Sequence, residues 1–308
     1  MDDAKPVIVV SDLHKSYGHV KAVDGVSFEV RHGEVFGLLG PNGAGKTTTI
    51  ETLEGLNKPD SGEVSVLGLD PARDATSLKE RIGVQLQTAA LYPNLTVIEL
   101  IEVFGSFYAR SRSTAELVRD FGLEERQGGQ SRELSGGQRQ RLSVALAMVN
   151  DPELIFLDEP TTGLDPQARR SLWDHIRDLR GEGRTILLTT HYMDEAEELC
   201  DRVAIMDHGR ILEIGTVNDL VTRHFRERTV RFAHRDELPE ERLARVRGVR
   251  RVARENDEVV LYTPDVPATI GELLRLSDEM GIDGLDIAVR RPTLEDVFLE
   301  LTGRALRD

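Results

Sequence analysis

Short, almost wholly apolar runs separated by glycine turns alternate with helical stripes from the start of the chain to about residue 222. Val35–Leu39, Ile155–Leu157, Thr185–Thr189 and Val203–Met206 predict strands without a solvent-facing side. Strands of that kind lie in a mainly parallel sheet covered on both faces, so the region reads as an α/β domain. Between the runs, Leu142, Ala145, Leu146 and Val149 recur at i, i+3, i+4 and i+7, and Ala168, Leu172, Ile176 and Leu179 form a similar stripe. Both predict amphipathic helices. Ser113 with Glu116 three positions later predicts a capping box opening a further helix, and residues of about 70 to 130 read as a helical insertion.

Beyond residue 222 the texture changes. Thr222–Arg228 is charged and arginine-rich, as in a linker. The pattern then predicts strand Val230–Phe232, helix Pro239–Val246, strands Arg250–Ala253 and Val259–Tyr262, helix Pro267–Met280 and strand Leu285–Val289. This βαββαβ order is the split-βαβ arrangement of a ferredoxin-like fold, so residues 223–308 are expected to form a smaller α+β accessory domain after a first domain at 1–222. A last helix is expected from Thr293, with Leu294, Val297, Phe298 and Leu301 on one face. The competing reading is a docking tail with no sheet of its own.

Composition narrows the partners. With 39% hydrophobic and 30% charged residues among 308, the chain can bury a substantial core and lacks the signature of disorder. The net charge of -15 argues against a broad basic surface, so no nucleic-acid partner is expected. Cys200 is the single cysteine, which rules out an intramolecular disulfide or a cysteine metal cluster and fits a reducing, cytoplasmic setting. The N-terminus lacks a secretory pattern, and no apolar run approaches the ~20 residues that span a bilayer; any membrane part is expected on another chain.

The sharpest local signal is Gly40-Pro41-Asn42-Gly43-Ala44-Gly45-Lys46-Thr47, continued by Thr48, after a predicted strand. This G-x-x-x-x-G-K-[ST] spacing lets the backbone turn its N–H groups into one concavity at a helix N-terminus, where a polyphosphate binds. Lys46 supplies a point charge for the β- and γ-phosphates, and Thr47 a hydroxyl for Mg²⁺. A second element follows the strand Leu154–Leu157, which runs into Asp158 and Glu159. Asp158 is suited to hold Mg²⁺ and Glu159 to polarise an attacking water.

Leu134-Ser135-Gly136-Gly137-Gln138, at the start of a predicted helix, adds a second anion site built from a hydroxyl and two bare glycine backbones. With the preceding elements it resembles the signature of the ATP-binding-cassette (ABC) family over about residues 6 to 220. The resemblance implies a P-loop ATPase and a head-to-tail homodimer, in which each cradle faces the Ser135–Gln138 element of the other copy. It also assigns Tyr17 to stack on adenine, Gln87 to link Mg²⁺ and water to the membrane-domain contact, His191 to the γ-phosphate, and Asp165 in Gly163–Pro166 to the loop reaching the partner.

Arg290–Leu299 resembles the tail of daunorubicin-type drug exporters. The resemblance implies an ATP-hydrolysing subunit at the cytoplasmic face of the membrane, energising export of a drug, lipid or other hydrophobic substrate through a separate transmembrane permease. Leu91, Tyr92, Leu95, Val97 and Ile98 are expected to form a groove for a permease helix. A soluble ABC-type clamp on nucleic acid or ribosomes is the competing class; an importer subunit is a further alternative.

Overall fold

The computed structural model describes residues 5–86, 91–255, 257–282 and 284–303. The chain divides into two compact units between Val217 and Asn218.

The first unit contains strands β1 (Ile8–Tyr17), β2 (Val20–Val30), β3 (Val35–Leu39), β4 (Ser61–Val66), β5 (Ile82–Gln85), β6 (Leu154–Asp158), β7 (Thr185–Thr190), β8 (Arg202–Asp207) and β9 (Arg210–Gly215). Its helices are α1 (Lys46–Leu53), α2 (Ala75–Lys79), α3 (Val97–Gly105), α4 (Thr114–Asp120), α5 (Gly136–Ala147), α6 (Pro166–Gly181) and α7 (Met193–Leu199). Six strands form one sheet in the order β5-β6-β7-β3-β8-β9. All pairs are parallel except β8–β9.

The uniform apolarity of β3, β6 and β7 has a direct cause, since every residue of the three is buried. On one face, Val35, Ile155, Leu157, Ile186 and Leu188 pack with residues of α3 to α6, including Leu100, Leu117, Leu142 and Ile176. On the other, Phe36, Leu38, Phe156 and Leu187 pack with Ile50 and Leu53 of α1 and with a second sheet, β2-β1-β4, which is antiparallel throughout. Phe28 of β2 stacks on Phe36 of β3 at 5.3 Å between centroids. This second sheet is half-buried: Val26, Phe28 and Val30 face inward while Ser27 and Glu29 are exposed.

Two local expectations are corrected. The 70–130 interval is not wholly helical, because β5 lies within it and pairs with β6 as an edge of the parallel sheet. Ser113 precedes α4 but its side chain makes no capping bond. Its neighbour Arg112 pairs instead with Asp120 at the far end of that helix, at 2.6 Å. Capping boxes form at Thr96/Glu99, Ser135/Gln138 and Thr293/Asp296.

In the second unit, α8 (Val217–His224) begins at the boundary and is followed by β10 (Arg228–Ala233), α9 (Glu240–Leu243), β11 (Arg251–Glu255), β12 (Glu258–Thr263), α10 (Val266–Glu279), β13 (Ala288–Arg290) and α11 (Leu294–Thr302). The stretch expected as a linker is therefore mostly helix end and strand start. The four strands form an antiparallel sheet ordered β11-β12-β10-β13, with β12 splitting the β10-α9-β11 unit. Val230, Phe232, Val259 and Leu261 pack with Leu243 of α9 and Leu273 of α10. Among the described residues, no helix is long and apolar enough to cross a membrane.

Candidate nucleotide site

The cradle is the loop between β3 and α1. Gly45 is the residue before the helix and takes φ 103°, where a side chain is strained. A Cβ there would also stand 2.2 Å from the Ala22 carbonyl oxygen, so the position excludes side chains twice over. Lys46, 5% exposed, turns its Nζ back to donate to the Gly40 carbonyl (2.8 Å) and the Pro41 carbonyl (3.2 Å), and lies 3.3 Å from Glu159 Oε1. Asn42, Gly43, Gly45, Lys46, Thr47, Thr48 and Glu159 line one cavity of about 560 Å³.

Val20, Lys21 and Ala22 of β2 and His208 of the β8–β9 turn complete its wall. None carries a sequence signal for this role. Tertiary hydrogen bonds hold the turn there, Gly209 N–H to the Ala44 carbonyl of the cradle (2.9 Å) and Asp24 N–H of β2 to the Gly209 carbonyl (2.8 Å).

The acidic pair is set by the end of β6. Asp158 closes the strand, and Glu159 then adopts φ 47°, a left-handed conformation that costs a non-glycine residue on the order of 1–3 kcal/mol. Its N–H is held by Thr189 of β7, through the Oγ1 at 3.0 Å and the carbonyl oxygen at 3.2 Å. The same Thr189 hydroxyl donates to Asp158 Oδ1. One threonine on the neighbouring strand thus positions both acids. Thr162 donates to Glu159 Oε2 at 3.4 Å, and His191 Nδ1 lies 3.4 Å from Glu159 Oε1.

Burial sets the electrostatics. It raises the Asp158 pKa, with Glu159 adding to the rise, while the Thr189 hydroxyl and the Lys46 charge oppose it. It would raise Glu159 too, but Lys46 and then His191 outweigh it and hold Glu159 below the usual carboxylate range. Lys46 is lowered by burial, offset in part by Glu159 and Asp158. The result is a buried cluster in which one ammonium compensates two acids.

The second anion element lies elsewhere in the same unit. Ser135 Oγ accepts from Gln138 N–H at 3.2 Å and Gln138 Oε1 accepts from Ser135 N–H at 3.0 Å, fixing the start of α5. A Cβ on Gly137 would stand 2.8 Å from the Ala168 Cβ, so α5 and α6 approach through that glycine. Asp165 caps α6, its Oδ1 accepting from Gln167 and Ala168 N–H groups at 2.9 Å each. Ser135–Gln138 and Asp165 line one cavity of about 510 Å³, together with Arg141, which sequence patterns do not mark. No lining residue is shared with the cradle cavity.

Two predicted residues stand apart. Tyr17 ends β1, is 49% exposed and accepts a hydrogen bond from Asn57 Nδ2 at 3.1 Å; it does not line the cradle cavity. Gln87 lies outside the described residues. Of the expected permease groove, Val97 is fully buried in the helical core and faces no partner, because it opens α3 on that helix's inner side, whereas Tyr92 is 58% exposed.

Comparison with known proteins agrees with this geometry. Residues 23–162 match the ABC transporter family. A Nod factor export ATP-binding protein I from Ralstonia nicotianae is 40% identical, the match covering 98% of this chain and 96% of that protein. The daunorubicin resistance ATP-binding protein DrrA3 of Streptomyces coeruleorubidus is 39% identical over 97% of each. Among solved structures, an ATP-binding subunit of an ABC transporter superposes with a TM-score of 0.64 at 32% identity, covering 71% of this chain and 93% of its own. A dimeric ATP-binding cassette bound to ADP and phosphate in a post-hydrolysis state gives 0.62 at 27% identity, covering 68% and 98%. A cradle with its acidic pair, a separate serine-glycine helix start and kinship along almost the whole chain make this protein a member of the ABC transporter family, an ATP-binding subunit that hydrolyses ATP.

Proposed function

We propose that two copies of this chain pair head to tail, and that the pair energises export of a drug, lipid or other hydrophobic molecule through a separate transmembrane permease, from the cytoplasmic face of the membrane. The observation that carries the pairing is the separation of the two anion elements. Cradle and Ser135–Gln138 open into different cavities of one unit, so one triphosphate meets both only with a second copy. Export is supported by the relatives, whose names refer to Nod factor export and daunorubicin resistance. Those names favour export over an importer or a soluble clamp. The second unit, from Asn218, is the accessory domain of this reading.

Within the site, Lys46 and the loop N–H groups grip the polyphosphate, Glu159 accepts the proton of the attacking water, and His191 stands beside it toward the γ-phosphate. Thr47, Asp158 and Gln87 would hold Mg²⁺ through oxygen, and the ion would supply charge neutralisation on the phosphates. The donor set suits that ion: Asp158 is a buried carboxylate whose pKa burial raises, a state that a hard cation relieves. Tyr17 remains the proposed adenine contact, from outside the lining of the cavity itself.

The test is complementation. Lys46→Ala breaks the cradle and Ser135→Arg blocks the opposing element, so each chain alone is inactive. Mixed, about half the dimers pair one of each and carry one intact composite site, returning roughly a quarter of wild-type ATPase activity. No recovery in mixtures shown to form heterodimers would overturn the head-to-tail assignment.

A further inference from the structure

The second unit holds a cavity of about 610 Å³, within the ~300–1,000 Å³ typical of ligand sites. Six arginines stand on its wall: Arg223, Arg226, Arg231, Arg251, Arg290 and Arg291. Only three carboxylates, Glu227, Glu255 and Asp296, stand with them. Glu258, outside the lining, also pairs with Arg231, so at most two guanidinium charges are in excess, in a chain whose net charge is -15.

Arg231, its side chain 19% exposed, is held by Glu255 at 2.9 Å and by Glu258 at 3.4 Å, and its buried Nε has no hydrogen-bond partner among the described residues. Arg290 pairs with Asp296 at 3.4 Å. The Arg251 guanidinium lies over the Tyr262 ring, 3.8 Å from its centroid, so the ring holds it at the cavity wall. Arg226 and Arg291 are exposed and have no carboxylate partner among the described residues. The wall therefore combines arginines anchored by carboxylate or ring with arginines that have only the cavity to serve. Planar forks of this kind match phosphate oxygens two at a time.

We propose that this cavity binds a small anion carrying a phosphate group. One phosphate brings about -1.5 to -2 charge near neutrality, which matches that excess. The site is distinct from the nucleotide cradle, which belongs wholly to the first unit.

Inorganic pyrophosphate is the probe, and the full-length Lys46→Ala chain the protein, so that the cradle does not compete. Calorimetric titration at low salt should give one site per chain, weakened at least tenfold by adding Arg226→Gln and Arg291→Gln and weakened by salt. Both side chains are exposed and unpaired, so the melting temperature should hold. Absence of binding, or binding indifferent to the two substitutions, would overturn the proposal. Vesicles of phosphatidylglycerol separate the sources of phosphate: sedimentation of the chain that pyrophosphate displaces identifies a headgroup in the same pocket. Sedimentation that depends on the arginines but ignores pyrophosphate assigns the charge to a membrane surface and refutes a phosphate pocket.

Discussion

Glu54 gives a sharp quantitative expectation. It follows α1, is 2% exposed, and neither carboxylate oxygen has a hydrogen-bond partner among the described residues. Burial first, and then the nearby charges of Asp158 and Glu51, push its pKa from 4.5 to about 8. Between those values the unfolded chain carries Glu54 ionised while the folded chain keeps its proton. The folded state thus binds more protons, and stability falls as pH rises through that window, levelling off above about 8. At about 1.4 kcal/mol per pH unit the loss at pH 7 is about 3 kcal/mol relative to the lower edge, and about 5 kcal/mol when the window is crossed. Glu54→Gln removes the titration and keeps the shape. Denaturant unfolding of both proteins from pH 5 to pH 8 measures it, because the difference between them cancels every titrating group that does not interact with Glu54. The advantage of the glutamine chain should grow by about 3 kcal/mol across that range. A difference that stays constant with pH would mean that Glu54 ionises normally in the folded protein, and would refute the account of its burial.

Three further outcomes follow from the nucleotide site and its surroundings. Glu159→Gln keeps the turn and the bond to Thr189 but loses the base, so ATP should still bind and hold the dimer while turnover drops by about 10² or more in single-turnover assays. Thr189→Val removes the hydroxyl that holds both Asp158 and the Glu159 N–H; a lower kcat with little change in ATP affinity is expected, and equal loss of both would point to a collapsed cradle. Tyr92→Glu alters a side chain that is 58% exposed, so ATPase activity of the isolated subunit should persist while permease-coupled transport in vesicles fails.

What could be read from the sequence tracks how local each signal is. The parallel strands stood out because burial on both faces makes them continuously apolar, and the cradle and acidic pair because their spacing is itself the geometry. β2 was harder to see: its Val26, Phe28 and Val30 alternate with polar residues only over the last five residues of a long strand, and Asp24 and Gly25 interrupt the pattern between them and the buried Val23. β13 offers no pattern at all, since its three residues are exposed, and it lies later and shorter than the apolar run Leu285–Val289 implied. The contribution of His208 and Lys21 to the cradle wall depends on which turn folds over which loop, and no residue spacing encodes that. The groove around Tyr92 fails at Val97 for the opposite reason: an apolar residue looks the same in sequence whether it faces the core or a partner.

The placement of Lys46 joins these observations into one physical argument. Its ammonium lies 3.3 Å from Glu159 while it also donates to two loop carbonyls, and its charge is the largest influence holding the Glu159 pKa down against burial. A triphosphate in the cradle competes for that same ammonium. As Lys46 turns to the phosphates, Glu159 loses its main compensating charge and gains anionic neighbours, and both changes raise its affinity for a proton. The carboxylate is thus a poor base while paired with Lys46 and a better one once the substrate has drawn the lysine off. The left-handed backbone at Glu159, fixed by Thr189, keeps the carboxylate in place through that exchange, so the binding step itself prepares the proton acceptor that hydrolysis needs.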